Sequence, residues 1–386
     1  MTKDIEKQIS EATEKFRILL TEQYERNAKI KEGSGGKKEN SKKTAVIGLA
    51  PGDGIGSIIM RETKAVLNEL LADEISEGKV ELKDITGFTI EERLEAGETV
   101  PEEVLKQLEV CDVFLKGPTT TPNASMSGKN LESANVFLRR KFDLFANVRP
   151  VKVDEEGIDW MFFRENTEGE YALGSKGIRI GDEIAVDFKV TTYEGTKRIA
   201  KAAFDYAKEN GKKRVSIVTK ANILKKTDGD FQKICLEVAK DYPDIEADCW
   251  FIDIMAAKLL DTNSRNRFEV FVLPNLYGDI ITDEAAQIQG GVGTAGSANI
   301  GSKYAMFEAI HGSGLRMVEE GRGEYANPSS LLTASVMMLR HIGYPEKATR
   351  LEKAIEKTNG EIGDKMTGLP GAATSTDFSS LVRKYL

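Results

Sequence analysis

Residues 268–286, FEVFVLPNLYGDIITDEAA, constrain the fold more than any other stretch. Phe268, Val270, Phe271, Val272 and Leu273 make a short apolar, β-rich run closed by Pro274 and Asn275. Such a run predicts a strand buried on both faces, which needs other elements to cover it above and below. After Gly278 the pattern turns helical, so a turn and then a helix are expected, with Asp279 in the first helical turn. Asp279 and Asp283 would then stand side by side, four residues apart. Two readings stay open on these residues alone. Asp279 is a helix cap and Asp283 a solvated charge, or the two form a carboxylate pair for Mg²⁺ or Mn²⁺, which favour carboxylate oxygens and water.

With 386 residues the chain has the length of two or three domains. Its net charge of -8 and the lack of a long basic stripe argue against a nucleic-acid partner. No apolar run approaches the roughly 18 residues of a membrane span, so no membrane role is expected. Asp4, Glu6, Glu11, Glu14, Glu22 and Glu25 crowd the N-terminal region, whereas transit peptides are poor in acids; a cytoplasmic location is expected. Cys111, Cys235 and Cys249 are odd in number and far apart, which predicts reduced thiols. His311 and His341 are the only histidines, too few for a histidine-rich metal site.

Ile5, Ile9, Ala12, Phe16 and Leu19 recur at spacings of three and four, the seam of an amphipathic helix over residues 4–30. That helix reads as a docked extension or as an arm for oligomerisation or a partner. The Gly-rich, charged segment 33–43 reads as a flexible linker. TAVIGLA at 44–50 then runs as a strand into Pro51-Gly52-Asp53-Gly54-Ile55-Gly56, either a ligand-facing glycine turn or simply a tight one. Its spacing is not the dinucleotide fingerprint. A second β run, 110–115, ends in Lys116-Gly117-Pro118-Thr119-Thr120-Thr121, polar groups at the carboxyl end of a strand, where open sheets bind ligands.

Ser133, Asn135, Arg139, Arg140, Lys141, Arg149 and Arg164 form the densest polar cluster. They are either solvated surface charges or forks for a substrate with several carboxylates. Arg149 and Arg164 are expected just after strands at 144–148 and 160–163. Residues 172–192 alternate and contain glycines, which predicts hairpin strands outside the main sheet and a possible dimer clasp. A helix is expected over 194–208 and a strand over 215–218, followed by Thr219-Lys220-Ala221-Asn222. Lys220 is a surface charge unless a pocket and a nearby cation tune it as a base. Another β run, from Cys249, ends at Asp253.

PGDGIG, KGPTTTP, SxN before FLRR and NVRPV, RENTEGEY, TKAN, NLYGDIITD and FEAIHGSG, in this order from about residue 44 onward, resemble the β-decarboxylating dehydrogenases, the family of isocitrate and isopropylmalate dehydrogenases. The resemblance implies an isopropylmalate-dehydrogenase-like α/β fold: a large coenzyme-binding domain (44–144 and 291–386), a smaller substrate and metal domain (145–168 and 193–290) and a clasp-like β insertion at 169–192. Residues 1–43 are not covered by it. It implies that Asp279 and Asp283 bind Mg²⁺ or Mn²⁺, with Asp253 supplied by the other subunit of a homodimer. Arg139, Arg149 and Arg164 would hold substrate carboxylates, Ser133 and Asn135 would contact the third, and Lys116 and Thr121 would line the same site. Tyr171 and Lys220 match the family's acid and base, with Lys220 reaching across the dimer.

Isocitrate-type members carry this serine and asparagine, whereas isopropylmalate-type members place apolar residues there. Isocitrate is therefore the expected substrate, oxidised and decarboxylated to 2-oxoglutarate and CO₂ in the tricarboxylic acid cycle. Isopropylmalate, homoisocitrate and a non-catalytic regulatory subunit are the alternatives. Thr120, Asn222, His311, Gly312, Asn327 and Arg316 would serve the coenzyme. The family's usual HGTAP is replaced by His311-Gly312-Ser313-Gly314-Leu315-Arg316, which removes the residue that separates NAD from NADP. Arg316 and Arg322 suit a 2′-phosphate; Glu319, Glu320 and Glu324 suit a free ribose diol, and NAD is the expected coenzyme with NADP possible.

Overall fold

The computed structural model describes residues 3–33, 44–122, 131–174, 176–291 and 293–386, so the linker expected over 33–43 lies, beyond Gly33, outside the described residues. In chain order the elements are α1 (Lys3–Lys31), β1 (Ala45–Ala50), α2 (Gly56–Leu70), α3 (Ala72–Ser76), β2 (Val80–Asp84), α4 (Ile90–Ala96), α5 (Glu102–Glu109), β3 (Val113–Lys116), α6 (Ala134–Lys141), β4 (Ala146–Val153), β5 (Ile158–Glu165), β6 (Ile178–Ile180) and β7 (Ile184–Val186). Then follow α7 (Tyr193–Glu209), β8 (Arg214–Thr219), α8 (Thr227–Ala239), β9 (Glu246–Phe251), α9 (Ile252–Leu260), β10 (Val270–Leu273), α10 (Asn275–Ile288), β11 (Gly296–Ile300), β12 (Ala305–Ala309), α11 (Leu315–Glu319), α12 (Ser329–His341), α13 (Pro345–Ile362) and α14 (Ser375–Tyr385).

The chain divides into two compact units. One holds the described parts of 44–144, with 148–151 and 285–386; the other holds α1, residues 145–147 and 152–284. In the first of these the strands run in the order β2-β1-β3-β12-β11, parallel except for the antiparallel β11–β12 pair. Alternate residues serve opposite cores, as the two-residue period of a strand requires. Ile47, Leu49, Val113, Leu115 and Phe307 face α2, α12, α13 and α14. Ala50, Phe114 and Met306 face Val104, Leu105 and Leu108 of α5 and Leu138 of α6. This sheet is therefore covered on both faces, and its polar loops gather at strand ends.

In the other unit β5-β10-β8-β9 are consecutive parallel strands. All four residues of β10 are buried, as its apolar run predicts. Phe271 stacks on Phe162 at 4.3 Å, and Trp160 meets both rings edge-on. The helix after β10 departs from expectation. No turn intervenes: Pro274 ends the strand and α10 starts at Asn275, so Asp279 lies beyond the first turn and is not its cap. Gly278 is inside the helix because that face presses on another side chain: a Cβ there would sit 2.6 Å from Arg164 Cγ. Arg149 and Arg164 lie within β4 and β5, not after them, and Asp253 lies in the first turn of α9, not at a strand end.

The hairpin β6–β7 forms its own two-stranded antiparallel sheet, as the alternation of 172–192 predicts. Helix α1 docks beside it. Leu19 is buried with Ala172 and Leu173, Phe16 stacks on Phe188 at 5.0 Å, and Lys15 Nζ donates to the Gly177 carbonyl at 2.8 Å. The docked-extension reading of the N-terminal helix is the one the structure shows. All three cysteines are free thiols. Among the described residues, no helix is long and apolar enough to cross a membrane.

Candidate active site

In the unit that carries β10, the end of β5 delivers Arg164 toward the start of α10. Arg164 is buried, and its Nε and Nη2 donate to Asn275 Oδ1 at 3.0 and 2.6 Å. Its Nη1 pairs with Asp279 Oδ1, and the other oxygen of Asp279 accepts from the Tyr171 hydroxyl at 2.8 Å. The guanidinium also lies 5.4 Å from the centre of the Tyr171 ring. An arginine, a phenol and a carboxylate are thus joined in one hydrogen-bonded chain. Asp283, exposed, stands one helical turn beyond Asp279 on α10.

Lys220, just past β8, has its ammonium 2.6 Å from Asp253 Oδ1. That hydrogen bond holds the Asp253 carboxyl below the usual carboxylate range. Asn222 is exposed in the turn that follows Lys220. Two carboxylates one helical turn apart and a third beside a lysine are the hard-oxygen donors a divalent cation prefers, but among the described residues of one chain no three acidic, histidine or cysteine side chains gather into a metal-binding group.

In the other unit, the polar cluster is organised by a residue that the sequence reading passed over. Glu308, buried in β12, meets Lys116 Nζ at 3.2 Å and Arg139 Nη2 at 3.1 Å, and accepts from Asn299 Nδ2 at 2.8 Å. Burial alone would raise its carboxyl; the two cations and the amide outweigh burial and hold it at about 2. Lys116, by contrast, is pushed below the ordinary range by burial, which Glu308 opposes and the charge of Arg139 reinforces. Lys116 Nζ also donates to the Gly117 carbonyl at 2.7 Å.

On α6, Ser133 stands at the N-cap, and Asn135 Oδ1 accepts from the Thr119 hydroxyl at 2.9 Å, so the serine-asparagine pair is tied to the KGPTTT loop. Arg139 Nε, on the same helix, is buried with no hydrogen-bond partner among the described residues. Arg149 is buried within β4, while Thr121 is exposed. The acidic partner of Arg140 is Glu132.

The PGDGIG turn is tight because it packs against its own chain. A Cβ on Gly52 would stand 2.2 Å from the Pro118 carbonyl oxygen, and one on Gly54 2.1 Å from that of Ser313. The N–H groups of Asp53 and Ile55 donate to those carbonyls at 2.8 and 2.9 Å. Asp53 is buried and accepts from the N–H groups of Ile90 and Thr120. Burial raises its carboxyl, with those N–H groups and Arg93 opposing.

Thr120 shares a 2.8 Å hydrogen bond with Ser313, which places three of the expected coenzyme residues, Thr120, His311 and Gly312, beside one another. His311 Nδ1 lies 3.0 Å from the Gly312 carbonyl, its Nε2 is buried without a partner among the described residues, and burial lowers its pKa. Asn327 Oδ1 accepts from Ser329 N–H at the start of α12. Arg316 is exposed on α11 and bonds Glu320, which Arg322 grips as well. The loop that replaces the usual proline motif is therefore partly helical, with its charges paired among themselves.

A family model described as isocitrate/isopropylmalate dehydrogenase matches residues 46–380. The chain belongs to that family. It is 38% identical over 353 residues to a 3-isopropylmalate dehydrogenase of Archaeoglobus fulgidus, covering 89% of this chain and 99% of the relative. It is also 38% identical to the mitochondrial NAD isocitrate dehydrogenase catalytic subunit 5 of Arabidopsis thaliana, over 88% of this chain and 87% of the relative. An NADP isocitrate dehydrogenase of Rickettsia bellii is 39% identical across 81% of this chain and 62% of its own length. The solved isocitrate dehydrogenase of Methylococcus capsulatus superposes with a TM-score of 0.77 at 33% identity, covering 89% of this chain and 99% of that one. The fold is thus the isopropylmalate-dehydrogenase-like α/β fold. Its relatives include NAD- and NADP-dependent oxidoreductases, and they divide between two substrates.

Proposed function

We propose that the chain oxidises and decarboxylates isocitrate to 2-oxoglutarate and CO₂, with NAD as hydride acceptor. One observation supports a third carboxylate over an alkyl group: the polar Ser133 and Asn135 stand at the start of α6, with Asn135 Oδ1 held by the Thr119 hydroxyl of the KGPTTT loop. A polar group covered by substrate and left unpaired costs about 1–3 kcal/mol, and a carboxylate oxygen removes that cost where an isopropyl group cannot. Discrimination of this kind, built on buried polar groups, is strong. 3-Isopropylmalate is the competing substrate, favoured by the similarity to the Archaeoglobus relative.

Arg139, Arg149 and Arg164 orient the substrate carboxylates, with Lys116 and Thr121 in support, and Ser133 and Asn135 donate to the third. Asp279 and Asp283, with Asp253 from a second copy of the chain, would hold Mg²⁺ or Mn²⁺, which would supply polarisation of the substrate's hydroxyl and carbonyl oxygens. Lys220, in its neutral form and from the second copy that also supplies Asp253, accepts the hydroxyl proton as hydride leaves carbon 2 for the nicotinamide. After CO₂ departs, Tyr171 supplies a proton to carbon 3, its hydroxyl oriented by the hydrogen bond to Asp279. Thr120, His311 and Gly312, with Asn222 and Asn327, bind the coenzyme. Glu320 accepts from Arg316 Nε and from Arg322 Nε and Nη2, which supports NAD, because its carboxylate beside both arginines disfavours a 2′-phosphate there. The enzyme works as a cytoplasmic homodimer.

Initial rates with isocitrate and with 3-isopropylmalate, each with NAD and NADP at one Mn²⁺ concentration, test this reading. Turnover of isocitrate with NAD is expected to exceed the other three combinations. Turnover confined to isopropylmalate would reverse the substrate assignment, and no turnover together with activation of a partner subunit would make the chain regulatory.

A further inference from the structure

Glu165, Thr167 and Glu168 lie between the substrate arginine Arg164 and the acid Tyr171, and all three are buried although the mechanism does not use them. The Glu165 carboxylate accepts from Thr167 N–H at 3.0 and 3.1 Å, from the Thr167 hydroxyl at 2.6 Å and from Glu168 N–H. Glu168 turns to α7, where it accepts from the N–H of Thr192 at 2.9 Å and from its hydroxyl. Only glycine fits at 195, since a Cβ there would lie 2.1 Å from Glu168 Oε1. Burial, and then the charge of Glu168, push the Glu165 carboxyl up to about 7.

Two such carboxylates need a cation, and one comes from α1. Arg26 Nη1 donates to Glu168 Oε1 at 2.7 Å and its Nη2 to the Thr167 hydroxyl at 2.7 Å, while Arg198 of α7 reaches that hydroxyl at 3.2 Å. The backbone of Glu168 in turn holds the site. Its carbonyl accepts from Asn275 Nδ2 at 3.0 Å, and Asn275 Oδ1 takes two N–H groups of Arg164. Helix α1 lies outside the residues that the family model matches, 46–380.

We propose that Arg26 is a positioning residue for the reaction: through Glu168 and Asn275 it fixes the orientation in which Arg164 meets a substrate carboxylate. The inference rests on Arg164 holding substrate, as proposed above. Three contacts of α1, Lys15 to Gly177, Glu22 to Lys176 and Phe16 to Phe188, touch the hairpin segment and not this relay, whereas Asn27 Oδ1 accepts from the Glu194 N–H of α7 at 3.3 Å. Docking of the helix and positioning of the arginine are therefore separable by mutation.

The test compares Arg26→Gln, Arg26→Lys and Lys15→Ala in the full chain. Arg26→Gln is expected to raise the isocitrate KM about tenfold or more, with kcat changed far less, because a small misplacement of an orienting group is costly. Arg26→Lys, which restores a cation beside Glu168, is expected to recover most of the KM, and Lys15→Ala to leave it unchanged. A wild-type KM in Arg26→Gln overturns the inference, as does an equal rise in Lys15→Ala. Hydrogen exchange across 164–171 without substrate is expected to quicken in Arg26→Gln and not in Lys15→Ala; unchanged exchange in Arg26→Gln also overturns it. If wild type ignores isocitrate, the proposed substrate falls while exchange still decides the role of Arg26.

Discussion

Glu308 joins two cations that the sequence shows apart, Lys116 at a strand end and Arg139 beside other basic residues. Lone glutamates in a short β run carry no sequence signal for burial; the pairing becomes visible once β12 is placed beside β3, with Glu308 opposite Lys116. Its carboxyl, held at about 2 in the folded chain, binds a proton more weakly than in the unfolded chain. Its contribution to stability is therefore full above about pH 4.5 and is lost as pH falls toward 2. Replacing Glu308 by Gln leaves two buried cations without their counter-ion and should cost about 3–5 kcal/mol. Urea unfolding of both proteins checks this, and the difference between them should shrink across that acid window. Lys220 and Tyr171 were legible from their motifs, but the hydrogen bonds of Lys220 to Asp253 and of Tyr171 to Asp279 were not. Steady-state kinetics of Lys220→Met should show turnover reduced by about 10²–10⁴ with a modest change in KM, the signature of a lost general base. Unaltered turnover would remove Lys220 from the mechanism.

At the scale of elements, the apolar runs predicted strands well because strands covered on both faces leave little choice of residue: β8 and β10 fall within a residue or two of their expected ends. Helix boundaries were less legible. α10 begins at Asn275 because Pro274 closes the strand and Gly278 continues the helix, and the reason for glycine there is Arg164, more than 100 residues earlier in the chain. Gly278→Ala gains helix propensity of up to about 1 kcal/mol but drives a methyl into Arg164. The variant should lose about 1–3 kcal/mol by overpacking, and its substrate KM should rise as Arg164 shifts. A more stable variant with unchanged KM would show that Arg164 yields without consequence. The amphipathic seam of α1 was visible at spacings of three and four, yet its delivery of Arg26 to Glu168 was not, since nothing in a charged helix face marks which cation is spoken for.

For the molecule as a whole, the order of the motifs from residue 44 onward identified the family, and the match over 46–380 agrees with it. Single motifs were ambiguous in isolation: the PGDGIG glycines read equally as a ligand turn, and the structure packs them against Pro118 and Ser313. Coenzyme choice was least legible, because the loop after His311 departs from the family's pattern and its arginines are answered by Glu320, within the same loop. Removal of divalent cations by chelation is expected to abolish turnover, and addition of Mn²⁺ to restore it; full activity in the chelated enzyme would exclude Asp279 and Asp283 as ligands. The most direct test of the account is the ratio of CO₂ released to NADH formed when purified protein turns over isocitrate with Mn²⁺. The account predicts equal amounts of each, with 2-oxoglutarate as product. NADH without CO₂, or no NADH at all, would contradict it.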